Sequence, residues 1–287
     1  MGRMLIPRYW SRVEGTADAP DGRQYWFVGW GFSETSQFEA DTAARARLAD
    51  LSTKARTGQE IANWYEYGTR AIREEFIEQI DSVEDAPPAV ITRNRYGALI
   101  LNAPDTMFLD IDVPESKPTG GLFARLFGRA PAPADPFTDR HAHTLDMLAR
   151  LGLSSHRVYR TAAGFRVIIT DRFFEPDDPQ TAHIMQQLRV DGAFAQICRA
   201  QQCFRARLTP KPWRCGMPPP RHPFPRTDPR SIRWMDNWIQ QYERAGTQYA
   251  TCKLVTTAGA SLTLPDIQPI LTHHDHHTKA TSNLPLA

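Results

Sequence analysis

Asp110 and Asp112 stand two residues apart in Met107-Phe108-Leu109-Asp110-Ile111-Asp112-Val113-Pro114, an apolar run closed by a proline that cannot continue a central strand. Residues two apart in a strand point to the same face, about 7 Å from one another. Two carboxylates so placed repel each other and resist burial, so a positive group is expected between them. A hard divalent cation, Mg2+ or Mn2+, carrying phosphate oxygens suits that geometry. The plain alternative is a strand whose polar face is acidic.

Cations for such a phosphate lie further along the chain. Arg157-Val158-Tyr159-Arg160-Thr161 and Phe165-Arg166-Val167-Ile168-Ile169-Thr170 read as two strands joined by Ala162-Ala163-Gly164, a turn whose glycine lets a backbone approach a ligand closely. Phe204-Arg205-Ala206-Arg207-Leu208 reads as a short strand with both arginines on one face, followed by Lys211, Trp213 and Arg214. Upstream, Arg95 and Tyr96 sit in a polar turn, Arg93-Asn94-Arg95-Tyr96-Gly97, which is either a solvated turn or one that holds a phosphate or a base. Tyr159, Phe165 and Trp213 could stack on bases, although core packing is the commoner use of an aromatic residue.

The elements that must position these residues follow from periodicity. Aromatic and β-branched residues over 8–31, broken by Asp21-Gly22, predict a hairpin. Ser36-Gln37-Phe38-Glu39 reads as a capping box opening a helix to about Arg56, with Ala43, Ala44, Leu48 and Leu51 inward. A second helix is expected from about Arg70 to Ile80, with Ile72, Phe76, Ile77 and Ile80 inward. The stretch 89–101 predicts a hairpin that leads into the acidic strand. Proline and glycine bound 115–136, which reads as a flexible insertion. Helices are expected over 138–151, 178–202 with a break at Asp191-Gly192, 232–244 and 266–277, and a strand near 251–257. The expected organisation is an α+β unit over 1–85, a core over 86–257, and a C-terminal helix and tail over 258–287.

Composition is that of an ordinary globular chain: 287 residues, 41% hydrophobic and 23% charged. A net charge of +2 announces no global field for nucleic acid. The basic excess is local, since nine arginines and lysines between Arg199 and Arg233 face a single acid, Asp228. Four cysteines suggest a reducing compartment rather than a disulfide scaffold. The chain shows no signal-peptide pattern and no run of membrane-spanning length, so a cytoplasmic location and no membrane partner are expected.

In order, the acidic strand, the glycine hairpin with Arg166, Asp191 and the Phe204–Lys211 segment resemble the catalytic domain of the archaeo-eukaryotic primase superfamily, the primase-polymerases. The likeness covers roughly residues 89–215. It implies an α+β core with a mixed or antiparallel sheet flanked by helices, and a metal-dependent nucleotidyltransferase acting on DNA or RNA with nucleoside triphosphates. By that resemblance Asp110, Asp112 and Asp191 would hold Mg2+ or Mn2+. Thr161, Gly164, Arg166, Arg205, Arg207 and Lys211 would bind the triphosphate. Arg95, Tyr96, Tyr159, Arg160, Trp213 and Arg214 would meet nucleic acid. One departure is plain: Arg166 stands where the family carries a histidine. Arginine still binds phosphate bidentately, so nucleotide binding survives the change, and a non-catalytic nucleotide- or nucleic-acid-binding module becomes the alternative.

Other constellations point less far. Cys198, Cys203 and Cys215 with His222 depart from structural zinc spacing, so buried thiols are expected there rather than Zn2+. His273-His274-Asp275-His276-His277 is expected to be an exposed helical run, with His273 and His276 or His277 sharing a face that permits adventitious metal binding. A glycosyltransferase would want a parallel nucleotide-binding unit upstream of the acids, where a hairpin is expected. A phosphatase with a nucleophilic aspartate would want Gly-Thr where Val113-Pro114 stands.

Overall fold

The computed structural model describes residues 4–59, 71, 73–113, 135–222 and 224–287. The expected insertion lies almost wholly outside the described residues, as does Ile72. A first layer consists of β1 (Tyr9–Asp18) and β2 (Gln24–Ser33), paired antiparallel, with α1 (Gln37–Arg56) packed on them. Ser36 caps α1 by accepting the amide of Glu39, as expected. The Glu39 carboxylate does not complete a capping box; it accepts from the hydroxyls of Ser33 and Thr35 instead. The fully buried residues of α1 are Ala40, Ala44, Leu51 and Ala55; Leu48 is half-buried and faces Gly15 and Gly29 of the hairpin, whereas Ala43 is exposed.

The stretch expected to be a second helix contains β3 (Glu75–Ile80), paired antiparallel with β4 (Ala89–Arg93). A register shift between Phe76 and Glu78 breaks the two-residue alternation of this strand, which is why its apolar spacing imitates a helix. β3 lies within the expected N-terminal unit, yet it belongs to the sheet of the core. That sheet runs β3-β4-β5-β9, where β5 is Leu99–Ala103 and β9 is Phe204–Arg207.

The acidic stretch forms β6 (Phe108–Asp112). It is followed by α2 (Pro136–Arg150), β7 (His156–Thr161), β8 (Gly164–Ile169), α3 (Pro179–Gln187) and α4 (Gly192–Gln201). After β9 come α5 (Pro229–Gly246), β10 (Cys252–Ala258) and α6 (Ile267–Thr278). The second four-stranded sheet runs β10-β7-β8-β6, and every strand pairing in both sheets is antiparallel. The described chain is thus α+β, built on antiparallel sheets.

Alternation along β6 assigns the two faces of this sheet. Ile111 and Phe165 lie opposite one another, and Phe137 and His141 of α2 pack on the Phe165 ring, so α2 covers that face. Asp110, Arg166 and Tyr159 are opposite one another across β6, β8 and β7 on the other face. His274 of α6 lies against both Phe108 and Tyr159 there. A single apolar core joins the sheets, with Ile91 and Leu101 from one, Val167 and Ile168 from the other, and Ile267 and Leu271 from α6.

No helix among the described residues is long and apolar enough to cross a membrane. Cys198, Cys203, Cys215 and Cys252 are all buried.

Candidate functional site

β6 does bring two carboxylates to one face, and the structure supplies the positive group between strands. Arg166 donates from Nε to Asp110 Oδ1 at 2.7 Å and from Nη2 to Asp110 Oδ2 at 3.0 Å. Its Nη1 donates to the carbonyl of Arg207 at 2.8 Å, tying β8 to β9 and so one sheet to the other. The Arg166 side chain is 1% exposed and that of Asp110 is 38% exposed. Burial alone would raise the Asp110 carboxyl, but the facing guanidinium outweighs it and holds the group below the ordinary carboxylate range.

Beneath this pair, α6 contributes an Asp–His couple. His274 is fully buried, and that burial pushes its imidazole below the ordinary value, so it is neutral near pH 7. A guanidinium only donates, so His274 Nε2, 3.4 Å from Arg166 Nη1, is the accepting nitrogen. The proton then sits on Nδ1 and is donated to Asp275 Oδ1 at 2.9 Å. The other Asp275 oxygen accepts from Arg157 at 2.7 Å. The expectation of an exposed histidine run therefore fails at its centre. The signal was available: Ile267, Ile270, Leu271, His274 and Thr278 form one buried helical stripe.

A cavity of about 290 Å³ opens beside Arg207, lined by Asn94, Tyr96, Ala98, Arg207, Lys211, Pro212 and Trp213. The β4–β5 turn and the segment after β9 thus come together, as their residue types suggested. Tyr96 and Trp213 meet edge to face with ring centroids 5.6 Å apart, and Lys211 Nζ stands 5.6 Å from the Trp213 ring. Arg95 lies over Tyr96, 4.6 Å from its centroid.

α5 holds this corner in place. Trp238 packs against Gly97, whose φ of +88° and lack of Cβ the contact requires. Tyr242 donates to the carbonyl of Pro210, and its hydroxyl also lies 2.9 Å from Thr209 Oγ1.

The charge balance of the cavity is one-sided. Burial lowers the Arg207 guanidinium and the neighbouring Arg166 lowers it further, while Asp110 opposes them. Lys211 is likewise lowered by burial, then by Arg207 and Arg214, with Asp112 opposing. Among the described residues Arg207, Lys211 and Arg214 make no ion pair, and Arg207 Nε has no hydrogen-bond partner although it is buried. Cations that depress one another in a cavity favour an anion there.

The chain matches no family model, no curated protein and no solved structure.

Several residues expected at the site are engaged elsewhere. Asp191 caps α4, accepting the amide of Phe194 at 2.9 Å, and no hydrogen bond or ion pair joins it to Asp110 or Asp112 among the described residues. Arg205 is not free for phosphate: its Nη2 donates to both oxygens of buried Glu74, at 2.7 and 2.9 Å. Glu74 in turn accepts from Thr92, forming a polar cluster on the β3-β4-β5-β9 sheet that sequence reasoning missed. Thr161 Oγ1 accepts the amide of Gly164 within the β7–β8 turn.

Gly164 serves a strand rather than a ligand, because a Cβ there would lie 2.0 Å from the Ile111 carbonyl. Tyr159 is fully buried against His274, so it offers no stacking face. Arg160 lies over Phe137 on the α2 side of its sheet.

A divalent clamp of three carboxylates does not fit this arrangement. Both Asp110 oxygens accept from Arg166 and Asp191 is spent on a helix cap, which leaves Asp112, exposed at the end of β6.

Proposed function

We propose that the Tyr96–Arg207–Lys211–Trp213 cavity binds a nucleotide unit, free or within a single strand, and that the protein is a nucleotide- or nucleic-acid-binding module. The unpaired guanidinium of the half-buried Arg207 carries this reading. With Lys211 and Arg214 beside it, a phosphate would gain charge-assisted hydrogen bonds at a partly desolvated point. The half-exposed Trp213 and the partly exposed Tyr96 offer ring faces to a base. A cavity of about 290 Å³ lies at the small end for ligand sites, which suits one nucleotide rather than a dinucleotide cofactor.

In this reading the fixed charge of the buried Arg166 neutralises Asp110 as a cation would. Titration of the intrinsic tryptophan fluorescence tests the reading. Nucleoside triphosphates and short DNA or RNA strands are expected to bind, inorganic triphosphate more weakly and an unphosphorylated nucleoside weakly or not at all. Comparison of triphosphate with oligonucleotide separates the free from the strand-borne nucleotide. Trp213→Ala, read by anisotropy of a labelled ligand, should lower affinity by about 1–3 kcal/mol. Equal affinity in Trp213→Ala and Lys211→Ala would end the proposal.

A second reading adds nucleotidyl transfer with Mg2+ or Mn2+. What favours it is the shared face of Asp110 and Asp112 and the exposure of Asp112 next to Lys211. It requires Arg166 to release Asp110. Incorporation of labelled nucleotide in the wild type, lost in Asp112→Ala, would support it. Absence of incorporation across DNA and RNA templates with either ion would leave the binding module.

A further inference from the structure

We propose that Glu78, His273 and His277 form a binding site for one transition-metal ion of the zinc class, at the contact of β3 with α6. One ligand atom from each residue lies within 4.8 Å of the others. His273 and His277 are one helical turn apart, and their rings lie roughly parallel with centroids 6.3 Å apart. Glu78 Oε1 approaches His273 Nδ1 to 3.9 Å from the neighbouring strand.

Two imidazoles and one carboxylate form a borderline donor set that suits Zn2+, Co2+ or Ni2+ and is poor for Mg2+ or Ca2+, which take oxygen ligands. Metal–ligand bonds of about 2.0–2.2 Å put tetrahedral ligand atoms roughly 3.4 Å apart, so the three groups must close by about 1 Å or slightly more. Glu78 and His273 are both partly exposed, so their side chains have room to do so. A fourth position would be filled by water.

Two features show that the site is positioned before any ion arrives. After the register shift that follows Phe76, Glu78 and the buried Ile80 stand two apart and point to the same face of β3, which brings the Glu78 carboxylate toward His273 of α6. The loop after β3 is pinned to the start of α6, where Asp266 accepts the amides of Val83 at 2.7 Å, Glu84 at 2.6 Å and Ala86 at 3.3 Å. Strand and helix are therefore fixed together by contacts that owe nothing to metal. The intervening His274 and Asp275 face the Arg166 network. A metal ion on this side would clamp α6 to β3 and brace the helix that supports the Asp110–Arg166 pair.

The experiment uses the full chain without a polyhistidine tag, stripped with chelator and titrated with Zn2+ and with Co2+. The expected result is one Co2+ per chain with visible d–d absorption, and a Zn2+-dependent rise in Tm. Both should be lost in His273→Ala and in His277→Ala and retained in His276→Ala. Glu78 is exposed, so Glu78→Gln preserves the fold; it should weaken binding at least tenfold, which keeps the test valid if a histidine variant fails to fold. Substoichiometric uptake, or uptake unchanged in Glu78→Gln and His277→Ala, would mark an adventitious ion only and overturn the site.

Discussion

At the scale of single residues, the decisive fact is that Asp110 is an ion-pair partner of a buried arginine. Removing one member of a buried pair leaves the other charge without compensation, which costs about 3–5 kcal/mol when both are buried. Asp110 is partly solvated, so Asp110→Ala is expected to lose less, about 2–3 kcal/mol, in chemical denaturation. Asp112→Ala should change stability by under about 0.5 kcal/mol, since its carboxylate is exposed. Carboxylates gathered only to await a metal would give the reverse, with either alanine relieving repulsion.

Asp105 supplies an opposite test by pH. Burial raises its carboxyl to about 6, and Asp266 adds to the rise. The folded state then binds this proton more tightly than the unfolded state, so the contribution favours folding at low pH and is lost as pH climbs from about 4 through 6. Asp105→Asn is expected to gain up to roughly 3 kcal/mol over wild type at pH 8, and the gain should vanish near pH 4. A pH-independent difference in Tm between the two proteins would refute it.

At the scale of elements, the order of strands and helices was legible because most of them follow local rules. The hairpin turn at Asp21-Gly22, the Ser36 cap and the short, almost wholly buried runs of β4, β5 and β8 are written in neighbouring residues. β3 was not legible, because its bulge replaces the two-residue period with a spacing that fits a helix equally well. The partner of Asp110 was hidden for another reason: the register that sets Arg166 opposite it joins residues 56 apart. A basic residue near a glycine turn reads as ligand-facing until that register is known. The cavity corner was half legible, in that Tyr96, Lys211 and Trp213 were marked by type while the support from α5 was not. Gly97→Ala should expose that support. Its Cβ would fall 2.2 Å from the Trp238 ring at a φ of +88°, so a loss of about 2–3 kcal/mol is expected in denaturant unfolding. Ligand affinity should fall with it, because the same turn carries Tyr96; unchanged affinity would separate the turn from the site.

At the scale of the whole molecule, a net charge of +2 argues against a long cationic track, and this sets how any nucleic acid would bind. Among the described residues Arg207, Lys211 and Arg214 at the cavity have no carboxylate partner, whereas Arg166 and Arg205 are neutralised inside the protein. Each phosphate neutralised on a single strand contributes about 0.7 to the slope of log affinity against log salt. Two to three such contacts predict a slope of about −1.5 to −2 for a short oligonucleotide measured by anisotropy across a salt series. Lys211→Ala should lower it by somewhat under one, and Arg95→Ala should do the same only if the strand continues past Tyr96. A slope several times steeper would mean that the backbone runs over the wider basic stretch from Arg199 to Arg233, and the cavity would then be incidental. A slope near zero would point to stacking without phosphate and remove Arg207 from the reading.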